Sequence, residues 1–149
     1  MDHIAIMKKE WGLIPKILSG EKTVESRWYK NKVCPWNKVF VGDTLYFKNS
    51  GEEITVKAAV TRVEQLEVTS NNRALEIMSQ RAKADLGTTA IPESVIGYIS
   101  NKRYAVFIYF NEVQKVEPFD IDKRGFGAQC AWIACKNVST MIKTAQRST

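Results

Sequence analysis

The sequence holds one histidine, three cysteines and four prolines, and no uninterrupted apolar run of the roughly 18 residues that a membrane helix needs. Cys34, Cys130 and Cys135 are odd in number and show no C-x-x-C spacing, which argues against a disulfide framework. With His3 as the single imidazole, a zinc site lacks its usual ligands, and neither a metal nor a cofactor is expected. The cysteines read as buried or half-buried free thiols. Any Ser-His or Cys-His chemistry would rest on His3, two residues from the start of the chain. No five like charges follow one another, and no repeat, low-complexity segment or Pro/Gly/Ser linker divides the sequence. Met1-Asp2-His3-Ile4-Ala5-Ile6-Met7 is too short and acquires charge too early to be a signal peptide. These absences predict one soluble cytoplasmic domain over residues 1–143, a frayed tail at 144–149, and no membrane partner.

What is present is a chain of 149 residues, 44% hydrophobic, with a net charge of +6. That length is enough for one real core. The positive balance suits a polyanion, although a solvated basic surface would have the same composition. Residues 3–7 read as a strand, and Trp11, Ile14, Ile17 and Leu18 as a short helix with Pro15 in its first turn and Gly20 as its left-handed cap. Residues 22–29 read as a strand, 30–38 as a loop broken by Pro35, and Val41–Phe47 as a turn leading into a strand. Asn49-Ser50-Gly51-Glu52 is hairpin chemistry. Ile54, Val56, Ala58 and Val60 then alternate with more polar neighbours, as in a half-buried strand. Residues 70–86 carry the best helical pattern, with Asn72 or Ser70 to cap its start and Gly87 its end. Pro92 opens a short turn. Tyr104–Phe110 is apolar on both faces, as in a central strand, and Val113–Ile121 extends or pairs with it. A last strand lies around residues 131–134. This order predicts an α+β fold with a mainly antiparallel sheet curled into a barrel and short flanking helices.

The densest polar signal is at residues 20–27. Lys22, Glu25 and Arg27 fall within six residues, after a helix stop. On a regular strand Glu25 and Arg27 share a face and Lys22 lies on the other, so all three converge only if Lys22 belongs to the turn or a bulge intervenes. Two cations and a carboxylate would then form a pocket for a phosphate or a base edge, with Arg27 as the planar fork. A surface ion-pair ladder would use the same residues. Trp28, Trp36 and Trp132 add aromatic surface. Trp28 shares the face of Val24 and Ser26 and is expected to point inward, whereas Trp36 sits in a loop and suits a stacking platform. Lys48, Asn49 and Ser50 sit at the tip of the predicted hairpin, either closing over a cleft or forming an ordinary turn. Lys123-Arg124-Gly125-Phe126-Gly127 is a weak candidate for a phosphate loop.

Gly20, Lys22, Glu25 and Arg27 match the G-x-K-x-x-E-x-R signature of the ASCH domain, directly after a helix ending in Leu18-Ser19-Gly20, and Gly42-Asp43-Thr44-Leu45 resembles that family's G-D turn. The resemblance covers roughly residues 3–116. It implies a PUA-like barrel with a cleft lined by the signature residues, in a family generally regarded as RNA-binding. The binding set expected from it is Lys22, Glu25, Arg27, Trp36, Lys48, Asn49 and Ser50, and the ligand RNA, a nucleotide or a modified nucleoside. One similar branch hydrolyses the acetyl amide of acetylated cytidine with a lysine, a threonine and a glutamate. Its lysine aligns with Lys22, but its threonine falls on Glu25, and strand alternation aims Thr23 elsewhere. A binding module is therefore the first expectation. A nucleoside- or RNA-directed hydrolase, an amidohydrolase or a ribonuclease with Lys22 and Glu25 in the reaction, is the alternative.

Overall fold

A computed structural model describes residues 1–126 and 130–143. The predicted tail at 144–149 and Gly127 of the glycine loop lie outside the described residues.

Strand β1 (Asp2–Met7) is followed by a 3-10 turn at Lys9–Trp11 and helix α1 (Leu13–Ser19). Next come β2 (Val24–Tyr29), β3 (Thr44–Asn49) and β4 (Ile54–Glu67). Helices α2 (Asn71–Leu86) and α3 (Glu93–Ile99) precede the 16-residue β5 (Tyr104–Phe119) and the short β6 (Trp132–Cys135). The strands form one curled half-barrel sheet in the order β2-β5-β4-β3-β1-β6. β1 runs parallel to β3, and the other four pairings are antiparallel. The fold is thus α+β and PUA-like, as the element order and the resemblance implied.

Two details differ from the sequence reading, and one open alternative is settled. Pro92 opens a helix rather than a turn, because its extended backbone suits an N-cap and Val95 and Ile99 bury one face of the turns that follow. β4 runs on to Glu67, beyond the stretch where strict alternation is visible. Of the two readings of Val113–Ile121, the structure takes the first: Val113 and its neighbours extend β5, so the β4–β5 pair is a long arm. At about 3.3 Å per residue such an arm would reach about 50 Å if straight. Register shifts near Ile54, Lys57 and Val60 bend it, as bulges do.

The two-faced character of β5 follows from its position between β2 and β4. Val106, Ile108 and Phe110 point into the barrel core with Leu45, Phe47 and Val56. Ala105 and Phe107 point the other way, against α2 and α3, where Trp28, Ile77, Met78 and Ile99 complete a second core. A third cluster, including Ile4, Ile54 and Ile133, closes the end of the barrel under a 3-10 turn at Val138–Met141. No helix among the described residues is long and apolar enough to cross a membrane.

Candidate functional site

The site begins with the end of α2. A helix leaves its last four carbonyls without partners inside the helix. Here each is satisfied. Gly87 N–H, with φ at 71°, donates to Lys83 O, and Thr23 N–H donates to Ala84 O. Lys22 Nζ donates to Asp85 O at 2.6 Å, and Lys16 Nζ to Leu86 O at 2.7 Å. Two of the four donors are cations at the negative end of the helix, where the peptide dipoles favour them. This docking resolves the alternation problem. Gly20, with φ at 85°, stops α1, and residues 21–23 precede β2, so Lys22 belongs to the turn.

Lys22, Glu25, Arg27 and Asp85 form one buried quartet. Lys22 Nζ lies 2.9 Å from Glu25 Oε1 and 2.5 Å from Asp85 Oδ1, and also donates to Val24 O. Arg27 donates through Nε and Nη2 to Glu25 Oε2, at 3.1 and 2.8 Å. Its Nη1 reaches Ala131 O at 2.9 Å and its Nη2 reaches Ile6 O at 3.2 Å, while the guanidinium lies over the Trp132 ring. Since β2 is one edge of the sheet and β6 the other, Arg27 ties the half-barrel across its open seam.

Two positive and two negative charges balance in this cluster. Burial alone would lower the pKa of Lys22, but the Asp85 and Glu25 carboxylates outweigh it and the net shift is upward. Burial pushes Glu25 up, but Lys22 and Arg27 outweigh burial and hold it below the ordinary carboxylate value. Asp85 moves the other way: burial raises its pKa, Lys22 opposes, and the charge on Glu25 reinforces the rise. Among the described residues no buried side-chain nitrogen or oxygen lacks a partner.

A cavity of about 230 Å³ opens along the edge of β2, over this quartet. Glu25, Arg27, Ser26 and Asp85 line its floor, whereas Lys22 stands behind it, fully buried. Trp11, Trp28, Tyr29 and Tyr98 supply aromatic wall. Tyr98 also accepts a hydrogen bond from Trp28 N–H at 3.0 Å, satisfying an edge-strand donor. Burial pushes the Tyr29 hydroxyl up to about 12. Lys8 and Lys102 stand at the lining, both over Tyr98, and Lys8 also lies 5.0 Å from the Trp11 ring centre. Neither is ion-paired among the described residues, in contrast with the neutralised cations of the quartet.

The other expected site residues lie elsewhere. Trp36 packs edge-on against Tyr104 at 5.2 Å and does not line the cavity, because its ring covers the barrel core. Lys48 is not at a hairpin tip; it is the penultimate residue of β3, buried, 3.9 Å from Asp120, and burial lowers its pKa. Asn49 is engaged with Glu52 and the Ser50 N–H with Met7 O. Arg124 is paired with Asp122, and Lys123 donates to Cys130 O. Asp85, Trp11, Tyr98, Lys8 and Lys102 were missed. Asp85 had one available signal, a carboxylate on the buried face of a helix, in line with Met78 and Ala82. Among the described residues no group of three or more metal-ligating side chains is assembled.

No family model matches the sequence, and no curated protein matches it. Solved structures do. The ASCH protein of Zymomonas mobilis superposes with a TM-score of 0.64 at 14% identity, over 93% of this chain and 90% of that one. Two single-residue variants of the same protein superpose with a TM-score of 0.66 at 14% identity; each covers 93% of this chain, and the shares of the variants covered are 93% and 91%. The likeness spans nearly the whole chain. The chain therefore has the ASCH fold.

Proposed function

We propose that this domain binds RNA or a nucleotide, receiving one base in the cavity along β2. The observation that carries this reading is the division of labour in the site: a hydrogen-bonding floor that belongs to a charge-balanced buried quartet, aromatic walls, and lysines at the lining without an ion-pair partner among the described residues. At about 230 Å³ the cavity is below the roughly 300–1,000 Å³ of drug-sized sites, which suits a single base or nucleoside. Trp11 and Tyr98 are half-buried and offer rings for stacking. Glu25 and Ser26 face the cavity as polar groups for a base edge, and Lys8 and Lys102 suit a phosphate. The ASCH likeness, in a family generally regarded as RNA-binding, supports the same reading, and a cytoplasmic setting would supply such ligands.

Titration of tryptophan fluorescence with the four ribonucleoside monophosphates and with single-stranded RNA tests the proposal. Binding is expected to weaken with salt, with a log-log slope of about −0.7 per neutralised phosphate. Lys8→Ala should reduce that slope, and Trp11→Leu should cost about 1–3 kcal/mol of stacking. Absence of binding, or affinity independent of salt, would sink the reading.

One contact favours a hydrolytic second reading. Ser26 Oγ lines the cavity and donates to Asp85 Oδ2, whose raised pKa suits a proton acceptor. In that reading Ser26, rather than Glu25, stands where a nucleophile is needed, and Lys22 holds Asp85 in place. Turnover of acetylated cytidine or RNA that is abolished by Ser26→Ala would establish it.

A further inference from the structure

The cavity is not alone at this edge of the molecule. A second depression of about 210 Å³ lies beside it, formed by Ser70, Asn71, Asn101, Lys102 and Arg103. Lys102 lines both. The two are joined by backbone as well: Arg103 N–H donates to O of Tyr29, a wall of the first cavity, and Val68 N–H donates to Arg103 O beneath the second.

The floor of this depression is built and already satisfied. Asn71 Oδ1 accepts from Asn101 N–H at 2.7 Å, and Asn71 Nδ2 donates to Asn101 Oδ1, which holds Asn101 at φ 61° and sets the turn that presents Lys102 and Arg103. Neither of these two cations has an ion-pair partner among the described residues, and Arg103 is exposed. The first cavity is walled by aromatic rings, whereas this one is polar, shallow and positively charged.

Resting on the nucleotide reading above, we infer that the second depression is a subsite for the phosphate of an adjoining nucleotide, so that the ligand is a single strand of nucleic acid rather than a free nucleoside. A base in the first cavity places its own phosphate near Lys102. A chain leaving that phosphate along the edge meets Arg103 next, whose planar fork suits phosphate oxygens. Lys102, shared by the two hollows, lies between the base site and the second phosphate site.

The test compares the four 5′-ribonucleoside monophosphates with the 5′-phosphorylated homodinucleotides of the same bases, by calorimetry at low salt, together with one deoxyribonucleotide pair. The expected result is that a dinucleotide binds at least tenfold more tightly than its mononucleotide, with a salt slope steeper by about 0.7. Arg103→Ala should remove that advantage while leaving mononucleotide affinity unchanged, since Arg103 does not line the first cavity. Its side chain is exposed and its backbone bonds survive the substitution, and a matched thermal melt confirms folding. Mononucleotide binding with no dinucleotide advantage overturns the subsite and leaves the base site standing. A dinucleotide advantage untouched by Arg103→Ala also overturns it. Failure of both ligands to bind overturns the subsite together with the reading on which it rests.

Discussion

Lys22 Nζ sits 2.5 Å from the Asp85 carboxylate and 2.6 Å from the carbonyl of the same residue, so one buried side chain both neutralises a charge and caps a helix. Removing Asp85 separates these roles. Asp85→Ala leaves the cap but takes away one of the two carboxylates facing a fully buried ammonium. The expected cost is about 3–5 kcal/mol, as for other broken buried pairs. Lys22→Met combined with Asp85→Ala should cost less than the sum of the two single changes, because the partners are in contact. Urea denaturation of the set checks this, and a single-variant cost below about 1 kcal/mol would contradict the buried quartet.

Arg27 fastens the seam of the half-barrel through contacts that a lysine cannot copy. Its fork holds Glu25 while its two terminal nitrogens reach Ala131 O and Ile6 O. Arg27→Lys should cost about 1–3 kcal/mol, the range for buried hydrogen-bonding groups left unpaired. The loosening should be local. Amide exchange at Ile6, whose N–H donates to Ala131 O, should accelerate more than exchange at Phe107 in the sheet centre. Uniform acceleration would mean that Arg27 supports the whole fold rather than its seam.

Tyr98 gives a third expectation. Its hydroxyl accepts from Trp28 N–H on an edge strand of the sheet, the kind of donor that otherwise invites pairing with another chain. Tyr98→Phe preserves the ring over which Lys8 and Lys102 lie, but orphans that donor. A loss of about 1–3 kcal/mol in denaturant unfolding is expected, with faster exchange at Trp28. Unchanged exchange at Trp28 would refute the edge-capping role.

His3 makes stability depend on pH in a direction that geometry explains. Trp132 Nε1–H donates to Nδ1, so the remaining ring proton lies on Nε2, facing Asp43. Burial lowers the pKa of the ring and outweighs the opposing pull of Asp43. A folded-state value below the unfolded one, near 6.5, means that the unfolded chain takes up the proton first. The contribution is complete above the unfolded pKa and is lost as pH falls through the folded one. Unfolding free energies measured between pH 8 and pH 5 should therefore decline, and His3→Gln should flatten part of that decline. An identical profile in the variant would overturn the assignment.

Much of the architecture was legible because it depends on neighbours in sequence. Alternation marked Ile54–Val60, the two-faced run at Tyr104–Phe110 marked the central strand, and Gly20 and Gly87 marked helix ends that both adopt left-handed backbone. The signature at Gly20, Lys22, Glu25 and Arg27 pointed to the ASCH fold, and its residues do lie together. Less legible was the extent of β4 and β5, where bulges break the alternation that reveals a strand. Trp36 lies away from the cavity, which the sequence could not reveal because a loop position says nothing about which surface the loop folds against, and its ring is directed to Tyr104.

From its residues alone the chain specified most of its helices and strands, the apolar face of its best-patterned ones, and the local spacing that brings Glu25 and Arg27 to one side of β2. These follow from backbone stereochemistry and hydrophobic period, which act over a few residues. Tertiary structure alone decided that Asp85, 63 residues away from Lys22, completes the charge balance of the quartet, and so that the buried cations are neutralised. It also decided that Lys8, Trp11, Tyr98 and Lys102, from separate segments, assemble one cavity. The physical reason is that burying a charge requires a partner, and the end of α2, with its unsatisfied carbonyls and a carboxylate on its inner face, reaches Lys22 only when the helix packs onto the sheet.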